Sequence, residues 1–200
     1  MNKRKSQSRI AAVILAAGAS RRMGKANKLL SDWQGKPLVR HVVETALSSQ
    51  VSEIIVVTGH ESDAVRAALD GLDVSFIQNP QYSEGLSTSL IKGIGAVGKG
   101  QAGAAILLAD MPQLMSETLN ALVSAFVEAD CNSICVPFCE GRRGNPVIWP
   151  REFFPKMQAL TGDAGARDMM EKFFDRVREV ACDDPGVLMD IDNPDDLISR

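Results

Sequence analysis

Chemistry in this sequence concentrates first in a run of small residues followed by cations. Leu15-Ala-Ala-Gly-Ala-Ser-Arg-Arg-Met-Gly24 leads directly into Lys25 and Lys28. Small residues let a backbone approach a ligand closely, and the N–H groups of such a loop can form an anion-binding nest. Arg21, Arg22, Lys25 and Lys28 add positive charge with no acid among them. The chemistry this predicts is phosphate binding. A second pair of residues fits a hard cation. Asp110 follows the apolar run Ala104–Ala109, and Asp192 follows a short apolar segment near the end of the sequence. Mg²⁺ is usually held by one or two carboxylates together with substrate phosphates and waters. Asp110 alone also reads as a turn residue before Pro112, and Asp192 alone as part of an Asp-Asn-Pro turn.

Three other motifs fail on context. Gly93-Ile-Gly95-Ala-Val-Gly98 spells a dinucleotide fingerprint, but it ends a predicted helix instead of opening one. Five residues separate Gly18 from Gly24, and Ala26 follows Lys25, so the P-loop spacing and its metal-binding hydroxyl are both missing. Gly85-Leu-Ser87-Thr-Ser89 lacks the second glycine of a nucleophile elbow. Cys131, Cys135 and Cys139 recur every fourth residue, which matches no zinc or iron–sulfur spacing. On a strand they would share one face, as small buried hydrophobes in a reducing compartment.

The elements that must position these residues alternate. Buried strands are predicted at Ile10–Leu15, Glu53–Thr58, Val74–Gln78 and Ala104–Ala109, with helices between them. The first helix begins with Pro37 at its N1 position. Others run over Ser62–Leu69, Ser87–Val97 and Ser116–Ala129. Strands that are apolar on both faces indicate a mainly parallel sheet covered on both sides. Ser133–Phe138 and Pro146–Trp149 flank Glu140-Gly-Arg-Arg-Gly144, so part of the sheet is expected to be antiparallel. Helices near Glu152–Ala159 and Ala164–Phe174 and short strands at Val177–Ala181 and Val187–Met189 precede a last helix.

The 200 residues, 45% hydrophobic and 24% charged, suit one globular domain over residues 10–200, with residues 1–9 a basic, mobile tail. Lys3, Arg4, Lys5 and Arg9 concentrate positive charge in that tail, so the remainder is more acidic than the net charge of −3 suggests. An acidic body is a poor general binder of nucleic acid. The longest small-or-apolar run, Ile10–Ala19, is too short to span a bilayer. No signal peptide is recognisable, so a cytoplasmic protein is expected.

The motifs in order resemble the MobA-like branch of the nucleotidyltransferases. Leu15–Met23 is followed by Lys28-Leu-Leu30 and Gly35-Lys-Pro-Leu38. Then come Val57-Thr-Gly-His60, Asn79-Pro-Gln-Tyr82, Glu84-Gly-Leu-Ser-Thr-Ser-Leu90 and Ala109-Asp-Met-Pro112. Gly144-Asn-Pro-Val147, Gly162-Asp-Ala-Gly-Ala-Arg167 and Asp190-Ile-Asp-Asn-Pro194 complete the set. The resemblance implies a three-layer, Rossmann-like α/β fold, mainly parallel with an antiparallel strand. Within the branch, Leu15-Ala-Ala-Gly18 is similar to the molybdenum cofactor cytidylyltransferases, whose guanylyl-transferring relatives usually carry Leu-Ala-Gly-Gly. Asn145 stands where a histidine is common.

The resemblance then implies transfer of CMP from CTP to the phosphate of molybdopterin carrying molybdenum, with release of pyrophosphate. It assigns Arg22, Lys28 and Asp110 to catalysis. It places the nucleotide on Leu15, Ala16, Ala17, Gly18, Arg22, Lys28, Asn79, Ser87 and Asp110, and the acceptor on Asp163 and Arg167. Mg²⁺, with Mn²⁺ as a substitute, falls to Asp110 and Asp192. A recipient molybdoenzyme or its chaperone would be a partner. Two alternatives stay open at this point: transfer of GMP or another nucleotide to a different phosphorylated acceptor, and non-catalytic delivery of the cofactor.

Overall fold

Strand β1, Ile10–Ala16, is buried along almost its whole length and forms the centre of the molecule. The computed structural model describes residues 9–19, 27–162, 166–193 and 196, with side chains omitted at 166–168. Two parallel neighbours flank β1: β4, Glu53–Thr58, on one side and β6, Gly103–Leu108, on the other. Between β1 and β4 lie a small antiparallel pair, β2 (Asp32–Trp33) and β3 (Lys36–Pro37), and helix α1, Leu38–Leu47. Helix α2, Ser62–Ala68, leads to the edge strand β5, Ser75–Gln78. Helix α3, Leu86–Ala96, precedes β6, and α4, Ser116–Glu128, follows it.

The remaining strands are β7 (Ile134–Cys139), β8 (Arg142–Arg143), β9 (Val147–Pro150) and β10 (Val177–Ala181). Helices α5, Phe154–Met157, and α6, Ala166–Lys172, separate β9 from β10. The sheet runs β10-β7-β9-β6-β1-β4-β5, with β8 paired to β7. Only β9, and the short β8, run against their neighbours. The expected hairpin is therefore present, and it inserts β9 between β6 and β7.

Strand alternation produces two core layers. Ile10, Ala12, Ile14 and Ala16 face one layer with α1, α2 and α4. Ala11 and Val13 face the other with α3, α5 and α6. This is the expected three-layer α/β fold, mainly parallel. Gly93 explains one failed motif. A Cβ there would lie 2.3 Å from Val13 Cγ1 and 2.9 Å from Val57 Cγ2, so the glycine lets α3 lie close on the sheet.

Several boundaries differ from expectation. Pro37 is the N-cap residue of α1 and pairs in β3, because its extended backbone suits a strand end. Residues Pro185–Leu188 form a 3-10 turn, so Val187–Met189 is not a strand. Asp184 explains this: its Oδ1 accepts from Gly186 N–H at 2.9 Å and caps the turn. Cys131 precedes β7 with φ +59° and so does not share the strand with Cys135 and Cys139, although all three pack into the same layer. No helix among the described residues is long and apolar enough to cross a membrane.

Candidate active site

β1 and β6 end side by side, and the chain leaves β1 towards β4 but returns to β6 on the opposite side. Such a switch point is where open parallel sheets bind ligands. A cavity of about 520 Å³ opens there, lined by Leu15, Ala17 and Gly18 after β1, Lys28, Asp110 and Asp192. Tyr82, Ser89 and the Ser83–Leu86 segment at the start of α3 form the opposite side.

Lys28 is held by a short 3-10 turn over Lys28–Leu30. Asn27 Oδ1 accepts from Leu29 N–H at 3.1 Å and caps it. The Lys28 ammonium then lies 2.7 Å from Asp110 Oδ2 and 2.9 Å from Asp192 Oδ1. Burial works to lower its pKa, but the two carboxylates outweigh burial and the net direction is upward. The ammonium is therefore firmly charged, and largely hidden from water.

Asp192 reaches this place without a strand beneath it. Ile191 N–H donates to the Asp110 carbonyl at 2.9 Å. Asp192 N–H and Asn193 N–H both donate to Asp196 Oδ2. Upstream, buried Asp184 pins the same segment to the start of α4. Its Oδ2 accepts from Thr118 Oγ1 at 2.7 Å and Met115 N–H at 3.0 Å. The loop between β8 and β9 docks on the other side. Asn145 N–H donates to the Val187 carbonyl at 2.9 Å, and a Cβ on Gly144 would stand 2.3 Å from that oxygen.

The structure adds a third carboxylate, from Asp190. Oxygens of Asp110, Asp190 and Asp192 lie within 4.8 Å of one another. Asp110 Oδ1 is buried with no hydrogen-bond partner among the described residues. Three hard oxygen donors and a buried carboxylate oxygen without a partner fit a divalent cation such as Mg²⁺ or Mn²⁺.

The other assigned positions divide. Ala16 is buried in the opposite layer, with α1. Asn79 is fully buried and spends its side chain internally. Its amide donates to Thr88 Oγ1 and Ser89 Oγ, and its carbonyl accepts from Gln81 N–H. It shapes the 79–89 segment that walls the cavity. Ser87 Oγ donates to the Gly162 carbonyl and ties α3 to that loop. Arg22 and Asp163 lie outside the described residues, and Arg167 is located only as a position on α6. Sequence reasoning did not single out Tyr82, Ser89, Asp184 or Asp190 for these places. The Asp-x-Asp spacing of Asp190 and Asp192 was the one signal that could have found the third carboxylate. The cysteines take no part in the site. All four are free, and burial pushes the Cys135 thiol up to about 11.

Fold and site together define a nucleotidyltransferase. The model of the MobA-like NTP transferase domain matches residues 12–179, and the chain belongs to that family. It is 32% identical to the purine catabolism protein PucB of Bacillus subtilis strain 168 over 203 residues, covering 94% of this chain and 95% of PucB. Against the bifunctional protein GlmU of Brevibacillus brevis it is 41% identical over 119 residues, covering 58% of this chain and only 25% of GlmU. Among solved structures, Rv0371c from Mycobacterium tuberculosis H37Rv superposes with a TM-score of 0.80 at 28% identity, covering 94% of this chain and 96% of Rv0371c. A manganese complex of Rv0371c superposes at 0.75 with 26% identity, covering 96% and 100%.

Proposed function

We propose that this protein transfers CMP from CTP to the phosphate of molybdenum-loaded molybdopterin and releases pyrophosphate. The observation that carries the reading is the cavity at the ends of β1 and β6, where Lys28 lies between Asp110 and Asp192 and Leu15, Ala17 and Gly18 share the lining. Ala17, which favours CTP in the resemblance to the cytidylyl-transferring group, is wedged there. Its Cβ stands 2.8 Å from where a Cβ of Gly59 would be.

The acceptor phosphate is already an anion, so no protein nucleophile is required. An acceptor oxygen bonds to the α-phosphorus of CTP as the bond to the β-phosphate oxygen breaks, and pyrophosphate leaves with that bond pair. The protein's task is to bring two anions together and stabilise the charge that develops. Lys28 supplies an ammonium already desolvated for that task, and Arg22 adds a second cation. Asp110 and Asp192, with Asp190 beside them, would hold Mg²⁺ or Mn²⁺. When bound, the ion supplies positive charge against the phosphate oxygens. Leu15, Ala17 and Gly18 offer backbone to the base, while Asn79 and Ser87 set the opposite wall. A molybdoenzyme or its chaperone is the proposed recipient, in the cytoplasm.

The test is pyrophosphate release with CTP, GTP, ATP and UTP, each with isolated molybdenum cofactor, and mass spectrometry of the product. CTP should give the cytidylylated cofactor. Preference for GTP would sink the nucleotide assignment, and turnover only with a sugar or alcohol phosphate would sink the acceptor.

A further inference from the structure

The acidic cluster is assembled from two stretches of chain that lie far apart in sequence. Asp110 begins the connection from β6 to α4, and Asp190 and Asp192 belong to the segment after β10. Their oxygens come within 4.8 Å of one another because the two stretches run alongside each other. The ties between them fall in antiparallel order. At one end, Ile191 N–H donates to the Asp110 carbonyl at 2.9 Å. Further along, Gly186 lies so close that a Cβ on it would stand 2.3 Å from the Gln113 carbonyl oxygen. At the far end is Asp184, whose Oδ2 accepts from Met115 N–H at 3.0 Å and from Thr118 Oγ1 at 2.7 Å.

Asp184 differs from those other two ties in acting through its side chain and in serving both stretches at once. Its Oδ1 accepts from Gly186 N–H at 2.9 Å and closes the turn in its own segment, while Oδ2 holds the start of α4. The N-cap residue of α4, Met115, makes no side-chain cap, so the cap comes from the other stretch. The acid also lies at the positive end of the helix dipole. Asp184 is 2% exposed, and a buried carboxylate is costly unless its oxygens meet donors. Without the acid, Met115 N–H, Thr118 Oγ1 and Gly186 N–H lose their shared acceptor, and the two stretches lose the contact that fixes their offset.

That offset matters more to a cation than to the core. Mg²⁺ takes near-ideal octahedral geometry with ligand distances of about 2.0–2.1 Å. A functional constellation has to be held to within about 0.5 Å. We propose that Asp184 is a positioning residue for the metal: by capping α4 from the C-terminal segment it sets the offset between Asp110 and the Asp190–Asp192 pair, and with it the affinity for the divalent cation. The inference rests on the reading of the three aspartates as a metal site.

Titration of the full chain with Mn²⁺, followed by the EPR signal of the free ion, tests it without requiring turnover. Asp184→Asn keeps the shape but turns one acceptor oxygen into a donor, and it should weaken Mn²⁺ by about tenfold. Thr118→Val deletes one hydroxyl and should give a smaller loss, of about threefold. Thr118→Ser keeps the hydroxyl and should bind as the parent does. Gly93→Ala, which presses α3 against Val13 and Val57 instead, should lower Tm and leave Mn²⁺ affinity unchanged. In turnover, Asp184→Asn should raise the Mg²⁺ concentration needed for half-maximal rate by more than it lowers kcat. Parent-like affinity in both Asp184→Asn and Thr118→Val overturns the proposal, as does a loss in Gly93→Ala that matches theirs. If Asp184→Asn does not fold, Thr118→Val decides alone. A parent protein that binds no Mn²⁺ overturns the metal site and this inference with it. Affinity that follows the variants, in a protein that transfers no nucleotide, would overturn the proposed function and leave the inference standing.

Discussion

Lys28 and Cys135 show how single groups tie this structure to measurable behaviour. Lys28 meets two carboxylates at hydrogen-bond distance and would meet the reacting phosphates from the same place. Removing one preorganised charge donor typically costs about 10²- to 10³-fold in kcat. Lys28→Ala should therefore lower kcat by that order, with a smaller change in KM for CTP. Unchanged kcat with a raised KM would assign the residue to uniform binding instead. Cys135 acts on stability. Its thiol ionises at 9.0 when unperturbed and at about 11 in the fold. Between those values the folded chain binds the extra proton, so stability falls as pH rises through the window. Lys28, with its pKa raised above 10.5, works in the same direction. Its pairing contributes fully below that value and is lost as pH climbs through the raised one. Denaturant midpoints should be flat from about pH 7 to 8.5 and decline above about 9. Cys135→Ala should flatten the first part of that decline. A midpoint that rises between pH 9 and 11 would contradict the assignment.

Elements were legible where their own residues demand one environment. β1, β4 and β6 are apolar on both faces, so their burial in a parallel sheet follows from their composition. Val187–Met189 reads as a strand because Val187 and Leu188 look extended, while the deciding contact is the Asp184 cap that closes Pro185–Leu188 into a 3-10 turn. Lys28, Asp110 and Asp192 could be picked out in the sequence because each follows a short apolar or glycine-rich signal. The places of Tyr82 and Ser89 on the cavity wall depend on how the 79–89 segment folds against β1, which their local motifs do not show, while Asp190 is marked only by its spacing from Asp192. Glycines divide in the same way. On α3, Gly93→Ala would force a methyl into Val13 and Val57, whereas Gly95 has only Gln158 Nε2 nearby, at 3.8 Å. Overpacking a core costs about 1–3 kcal/mol, so Gly93→Ala should lower Tm by about 2–10 °C. Gly95→Ala should be neutral or slightly stabilising. Equal melting temperatures for the two variants would show that α3 can shift away from the sheet.

Across the whole molecule, β9 is the piece that departs from a simple parallel fold. Its insertion between β6 and β7 brings Val147 and Trp149 into the wall of a cavity of about 730 Å³ beside the first, next to Ile106 of β6. The connection before it packs Gly144 and Asn145 on the segment that carries Asp190 and Asp192. One irregularity of topology thus builds an apolar wall of the cleft and braces the acidic segment.

The ammonium of Lys28 has a further consequence when no substrate is present. With it in place, Asp110 and Asp192 each already have a positive partner. The fold of this segment is then expected not to depend on a bound metal ion. Chelation should leave the Tm of the parent protein unchanged. Lys28→Met, which leaves the acids facing one another, should melt lower and gain more from added Mn²⁺ than the parent does. A parent protein that loses stability on chelation would show that the lysine is no such placeholder.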